Sequence, residues 1–164
     1  MFTNGDFGTT VYQNLSCNGY RLPTEAEWEK AARGGGIGLR FPWGNLIHTD
    51  QAQYSACTVC FSYDLGPNNS PSGPSPVGSF DVNGYGLYDM AGNEFEWCWD
   101  WYGTPYGQPT TTNPTGPVGP LSDRVLRGGD WNDLASDARC AGRGQGSPSD
   151  SHFSGVAFRC VRGL

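Results

Sequence analysis

Hydrophobic positions are sparse along this chain, and only two stretches carry a clear period. The first lies at Thr24 to Ala32. Trp28, Ala31 and Ala32 fall at i, i+3 and i+4, which puts them on one helical face. Pro23 and Thr24-Glu-Ala-Glu27 precede them as a capping box, with the Thr24 hydroxyl placed for the Glu27 amide. Gly34, Gly35 and Gly36 end the helix. The second lies at Gly155 to Arg162, where Val156, Phe158 and Cys160 alternate with Ala157, Arg159 and Val161. That spacing predicts a strand with one buried face.

Elsewhere the pattern is irregular. Thr9 to Tyr12 is strand-like. Leu39 to Gly44 reads as a short edge or turn, because Pro42 cannot donate to a ladder. Residues 45–76 form a long excursion, and its end, Pro67 to Pro76, has neither helix nor strand option. Val77 to Phe80 returns to the core. Residues 103–120 make a second Gly/Pro/Thr loop. Val125, Leu126 and Arg127 read as a strand broken by Gly128 and Gly129. Residues 130–154 are polar and small, with apolar islands at Trp131, Leu134 and Phe153. No linker divides two cores and no repeat is visible, so residues 1–164 read as a single domain.

Composition explains the irregularity. With 25 Gly and 12 Pro, long regular elements are disfavoured, and 6 Trp supply large buried area per residue. The expectation is a loop-rich globule pinned by aromatic rings. A net charge of -6 and a pI near 4.7 argue against nucleic acid as the partner and are compatible with divalent cations. A mean hydropathy of -0.50 and the lack of a long apolar run argue against a membrane-inserted helix. Met1 to Gly8 has no basic n-region and no apolar h-region. The expected location is the cytoplasm, or display through a partner. The 6 cysteines allow about fifteen pairings. Cys57-Thr-Val-Cys60 is a lone pair, read as a local disulfide or two free thiols rather than half a zinc site.

The richest stretch is Asn83 to Tyr102. It holds Trp97, Trp99 and Trp101, and it sets Asp89, Glu94 and Glu96 beside Gly92 and Asn93. Oxygen donors gathered around a sharply turning glycine are what a hard cation needs. The same residues also suit core aromatics with turn carboxylates, and spacing alone does not separate the two readings.

Six motifs carry a family resemblance. They are Arg21 to Gly35, Phe41 to Asn45, Pro76 to Phe80, Asn83 to Trp97, Arg124 to Gly129 and Phe158 to Cys160. In this order they resemble the formylglycine-generating enzyme (sulfatase-modifying factor) domain, over about residues 16–164. The resemblance implies an α+β, C-type-lectin-like fold with few helices and short twisted strands. It also implies a further strand and helix ahead of Arg21, so the chain reads as short at its N-terminus. By the same resemblance calcium is held by the Asp89 side chain, the carbonyls of Gly92 and Glu94, and the Glu96 side chain. A second calcium position is unmatched, since Ala56 stands where the family has asparagine.

The catalytic apparatus is not matched. The oxidase binds copper and its substrate thiol through two cysteines. Cys140 matches the second, and Ala135 stands at the first. One thiolate cannot make the two-coordinate Cu(I) site, so copper is not expected. The sister three-histidine iron site is unmatched by His48 and His152 alone. A second group sharing this fold, the variable proteins of diversity-generating retroelements, is similar through Gly128 to Arg139. In that group the stretch before the last strand is diversified and binds ligand. Here it corresponds to residues 130–153. The candidate contacts are Asp130, Asn132, Asp133, Leu134, Ser136, Asp137, Gly142, Gly144, Gln145, Ser147, Ser151, His152 and Phe153. All but Gln145 and the framework Asn132 belong to the residue types reachable by adenine mutagenesis of asparagine codons. The resemblance therefore implies a non-catalytic binding module for a protein or cell-surface ligand. The alternatives are a thiol oxidase acting on a protein cysteine and a plain structural domain. Arg143 and Arg159 are expected as framework salt-bridge donors.

Overall fold

The computed structural model describes residues 18–104, 112–150 and 155–162, so the strand-like Thr9 to Tyr12 lies outside the described residues. One helix, α1 (Glu25–Ala32), accompanies six short strands: β1 (Tyr20–Arg21), β2 (Phe95–Trp101), β3 (Arg124–Arg127), β4 (Gly144–Gly146), β5 (Val156–Ala157) and β6 (Val161–Arg162). The main sheet runs β4-β3-β2-β5, and β1 pairs with β6 apart from it. In the main sheet β4, β3 and β2 are antiparallel, whereas β5 joins β2 in parallel.

Helix α1 starts where its local chemistry dictates. Thr24 Oγ1 accepts from the Glu27 amide, and the Glu27 carboxylate accepts from the Thr24 amide, closing the capping box. Its far end is capped from a distance. Asn83 Nδ2 donates to the Ala31 and Ala32 carbonyls at 2.7 and 3.2 Å, and Asn83 Oδ1 accepts from Tyr85 and Leu87. One side chain thus caps the last two helix carbonyls, the first of which also accepts from the Gly34 amide, and orders the turn that leads to β2.

The strand β2 alternates cleanly. Glu96, Cys98 and Asp100 are buried, while Phe95, Trp97, Trp99 and Trp101 lie half-buried on the opposite face. Cys98 packs with Trp28, Ala32, Met90, Val125 and Cys140 beneath α1. On the other face the Arg124 guanidinium lies 4.4 Å from the Trp99 ring centre and 3.7 Å from that of Trp101. The expected metal loop of residues 83–102 is therefore a turn as far as Glu94 and a central strand after it.

A second apolar cluster joins Phe41, Ile47, Ala52, Tyr54, Ala56, Ala91, Ala135 and Ala138. It ties the excursion to the loop after β3. Asp64 organises the excursion from inside. Its carboxylate accepts from the Tyr54 hydroxyl at 2.6 Å, the Cys57 amide at 2.7 Å and the Gly66 amide at 3.0 Å. Cys57 and Cys60 form a disulfide beside it.

The single strand expected over Gly155 to Arg162 is corrected. The segment splits between two sheets, and Phe158 and Cys160 are exposed, Phe158 at 68%. Arg159 turns to the Glu96 carboxylate, which breaks the alternation between β5 and β6.

Asp100 faces the start of α1, where its Oδ2 accepts from the Glu25 amide at 2.8 Å. Burial pushes its carboxyl up to about 6, with the Glu25 charge adding and the Glu25 amide opposing. Between the unfolded value near 3.8 and about 6, the folded state holds a proton that the unfolded chain has released. Asp100 therefore makes stability fall as pH rises through that window. Denaturant titrations from pH 4 to 7 should show the slope reduced in Asp100→Asn; an unchanged slope refutes the assignment.

Candidate functional site

The turn before β2 is shaped by tight backbone. Asp89, Gly92 and Asn93 adopt φ of 54°, 69° and 70°. A Cβ on Gly92 would stand 2.1 Å from the Gln53 carbonyl oxygen, so only glycine fits against the excursion. Asn93 exchanges hydrogen bonds with both backbone groups of Ser75, which pins the proline-rich segment to this turn.

The four metal candidates differ in what they leave open. Asp89 Oδ2 accepts from the Gly78 amide at 2.7 Å, while Asp89 Oδ1 is buried with no hydrogen-bond partner. An unpaired buried carboxylate oxygen is costly and invites a cation or water. Glu96 is engaged: Trp28 Nε1 donates to it at 2.6 Å, and Arg159 grips both its oxygens. Arg159 Nη2 also donates to the carbonyls of Tyr88 and Asp89. Among the described residues no group of three or more His, Cys, Asp or Glu side chains is arranged to hold a metal ion. The candidate set draws half its donors from backbone, the Gly92 and Glu94 carbonyls. All four donors are hard oxygens, which fits calcium in type. Asp89 Oδ1 is the free one, and Glu96 is shared with a guanidinium.

The loop after β3 folds into two linked turns. Asp133 N donates to Asp130 O at 3.2 Å, and Asp137 N donates to Leu134 O at 3.0 Å. Asn132 N donates to Asp130 Oδ1 at 2.8 Å, and Ser136 Oγ donates to Asp137 Oδ2 at 2.9 Å. From below, Ser55 N donates to Asp133 O at 2.8 Å. Ala135 and Ala138 are sealed in the second cluster at 0% and 1% exposure, whereas Leu134 is 37% exposed. The structure thus brings Asp130, Asn132, Asp133, Leu134, Ser136 and Asp137 onto one anchored turn. Gln145 is exposed on β4, and Ser147 follows it half-buried. Ser151, His152 and Phe153 lie outside the described residues.

Two expected contacts are corrected. Gly142 is buried, its carbonyl accepts from Arg127, and a Cβ there would lie 2.4 Å from the Asp137 carbonyl oxygen. A Cβ on Gly144 would lie 2.9 Å from the Phe95 ring. Both glycines are framework, because backbone and ring occupy the space a side chain needs.

The turn is anionic. Burial, then the Asp130 charge, holds the Glu94 carboxyl above its usual range. Burial raises Asp133 as well, with Asp130 and Asp137 adding and the Asp130 amide opposing. Cys140 is fully buried beneath α1, and burial pushes its thiol up to about 11. Arg143 and Arg159 are framework cations as expected, paired with Glu25 and Glu96.

Fold and residues agree with relatives. The chain belongs to the sulfatase-modifying factor enzyme 1-like domain family, whose model matches residues 6–164. It is 44% identical over 160 residues to the serine/threonine-protein kinase pkn1 of Chlamydia caviae, covering 96% of this chain and 23% of that protein. It is 40% identical over 147 residues to the formylglycine-generating enzyme of Mus musculus, covering 87% of this chain and 39% of the enzyme. Among solved structures it is similar to Treponema denticola variable protein 1, with a TM-score of 0.68 and 36% identity, covering 87% of this chain and 47% of that one. The chain therefore spans less than half the length of each of these relatives. Its α+β fold is that of the formylglycine-generating-enzyme-like structures.

The anchors and the displayed positions should separate under mutation. Leu134→Ser should change stability by no more than about 0.5 kcal/mol. Ala135→Asp buries an unpaired carboxylate and should cost about 3 kcal/mol or more, a drop in Tm of roughly 10 °C. Equal melting of the two variants would remove the distinction.

Proposed function

We propose that this chain is a non-catalytic ligand-binding module whose contact surface lies within residues 130–153. The observation that carries the reading is the alternation on the turn after β3. Ala135 and Ala138 fasten the loop from beneath, while Asn132 and Leu134 are exposed beside them. Side chains at such positions can change without disturbing the core, which is what a surface adapting to different ligands requires. Likeness to a variable protein supports the same reading, and diversification by a retroelement is part of the proposal. The anionic turn suits a protein or cell-surface ligand with basic or hydrogen-bonding groups rather than a phosphate backbone. Variation confined to residues 130–153 among copies from one population is the expected result. Variation spread evenly over the chain would remove the diversification claim.

A thiol-oxidase reading draws on the similarity to formylglycine-generating enzymes. Its chemistry needs two cysteines, and this chain has the buried Cys140 and, at the other position, the sealed Ala135. Anaerobic Cu(I) titration should show no tight stoichiometric binding, and a cysteine peptide should not become an aldehyde. Copper binding with aldehyde formation would overturn the non-catalytic reading.

The proposal includes calcium held by the Asp89 side chain, the Gly92 and Glu94 carbonyls and the Glu96 side chain. The buried, unpaired Asp89 Oδ1 is its support. Calcium there would brace the turn into β2. Chelation should lower Tm, since a ligand bound only by the folded state stabilises it by mass action. Asp89→Ala should abolish the response, and it is a cleaner probe than Glu96, whose loss also frees Arg159. A wild-type Tm indifferent to chelator would delete calcium from the reading.

A further inference from the structure

A cleft of about 470 Å³ opens at the start of the excursion, lined by residues 43–48, 50, 51 and 65. It shares no lining residue with the 130–153 surface and is independent of that reading. Trp43 forms one wall and is held from two sides. Phe41 stacks against it with ring centres 6.2 Å apart and planes 13° apart, and Trp43 Nε1 donates to the Leu46 carbonyl at 3.0 Å. Leu46 and Leu65 contribute exposed apolar surface.

The polar groups of the cleft are oriented in advance. Asn45 Oδ1 accepts from the Arg40 amide at 3.0 Å, and Gln51 Oε1 accepts from the His48 amide at 3.0 Å. With each oxygen engaged by backbone, each amide NH2 is left as a donor. His48 Nδ1 meets Asp50 Oδ1 at 2.9 Å; in the tautomer with the proton on Nδ1, His48 Nε2 is left as an acceptor beside Asp50 Oδ2. The lining carries no Lys or Arg and includes one carboxylate, which disfavours anions. An ammonium ligand has no acceptor for the two amide donors. A hydroxyl both accepts and donates, so it answers both kinds of group. A ring edged with hydroxyls and faced with C–H also suits the Trp43 wall.

We propose that this cleft binds a neutral pyranose of mono- or disaccharide size. The volume falls in the range of small-molecule sites. Saturation-transfer NMR on the full chain tests it, with galactose, mannose and N-acetylglucosamine as separate probes and tetramethylammonium, which has no hydroxyl, as the cationic control. At least one sugar should receive saturation, and tetramethylammonium none. The double variant Asn45→Asp, Gln51→Glu keeps both oxygens that accept backbone N–H groups, replaces the two NH2 donors by acceptors and adds two negative charges beside Asp50. It should retain the wild-type Tm and weaken binding at least about tenfold. Leu65→Glu, at an exposed wall position, should give the same loss without touching those hydrogen bonds. Silence from all three sugars, a response to tetramethylammonium alone, or undiminished binding in both variants would overturn the proposal.

Discussion

The guanidinium of Arg127 is fully removed from solvent, and it joins its own strand to α1 and to residues 140–142. Its Nη2 donates to Glu29 and its Nε lies 3.1 Å from Glu25, both on α1. Its Nη1 donates to the carbonyls of Cys140 and Gly142, and the Trp28 ring stands 5.3 Å from its centre. Glu25 in turn holds Arg143 through Nε at 2.6 Å and Nη2 at 2.9 Å. Two carboxylates answer its charge, although Nε makes no hydrogen bond, and removing one partner of such a buried set costs roughly 3–5 kcal/mol. Helix, sheet and the chain beyond the displayed turn are therefore fixed by one constraint.

This explains how so few regular elements hold a domain together. Strands of two to seven residues give little ladder. What they lack in length is supplied by side chains that reach across loops: Arg127, Asn83 under α1, Asp64 within the excursion, Asn93 to Ser75. Most of these polar groups are buried and fully paired, the condition under which a polar network rigidifies rather than weakens a core. The turn at residues 130–138 is the beneficiary. Its two alanines sit in the cluster built by the excursion, and Asn132 and Leu134 stay exposed beside them.

Legibility in the sequence followed range. The capping box of α1 was readable because its partners lie three residues apart. The strand at Val125 to Arg127 was readable from its apolar run. Asn83 as a cap for Ala31 and Ala32 was not, since the contact spans some fifty residues and leaves no local signal. The C-terminal strand was misread for the same reason: its alternation is real, but Arg159 answers Glu96, 63 residues earlier. At Gly142 and Gly144 a residue-type argument does not see packing, and here backbone and the Phe95 ring fill the space a side chain would need. The candidate calcium donors rest on residue type, which does not reveal the guanidinium that shares Glu96.

The small β1–β6 ladder pairs Tyr20 with Arg162 and Arg21 with Val161. The first and last of the described strands therefore lie side by side. A module with that geometry can be spliced into or hung from a larger polypeptide through a single narrow stalk, without prising the fold open. That suits a domain recurring in proteins as different as a kinase of which it spans 23% and an enzyme of which it spans 39%.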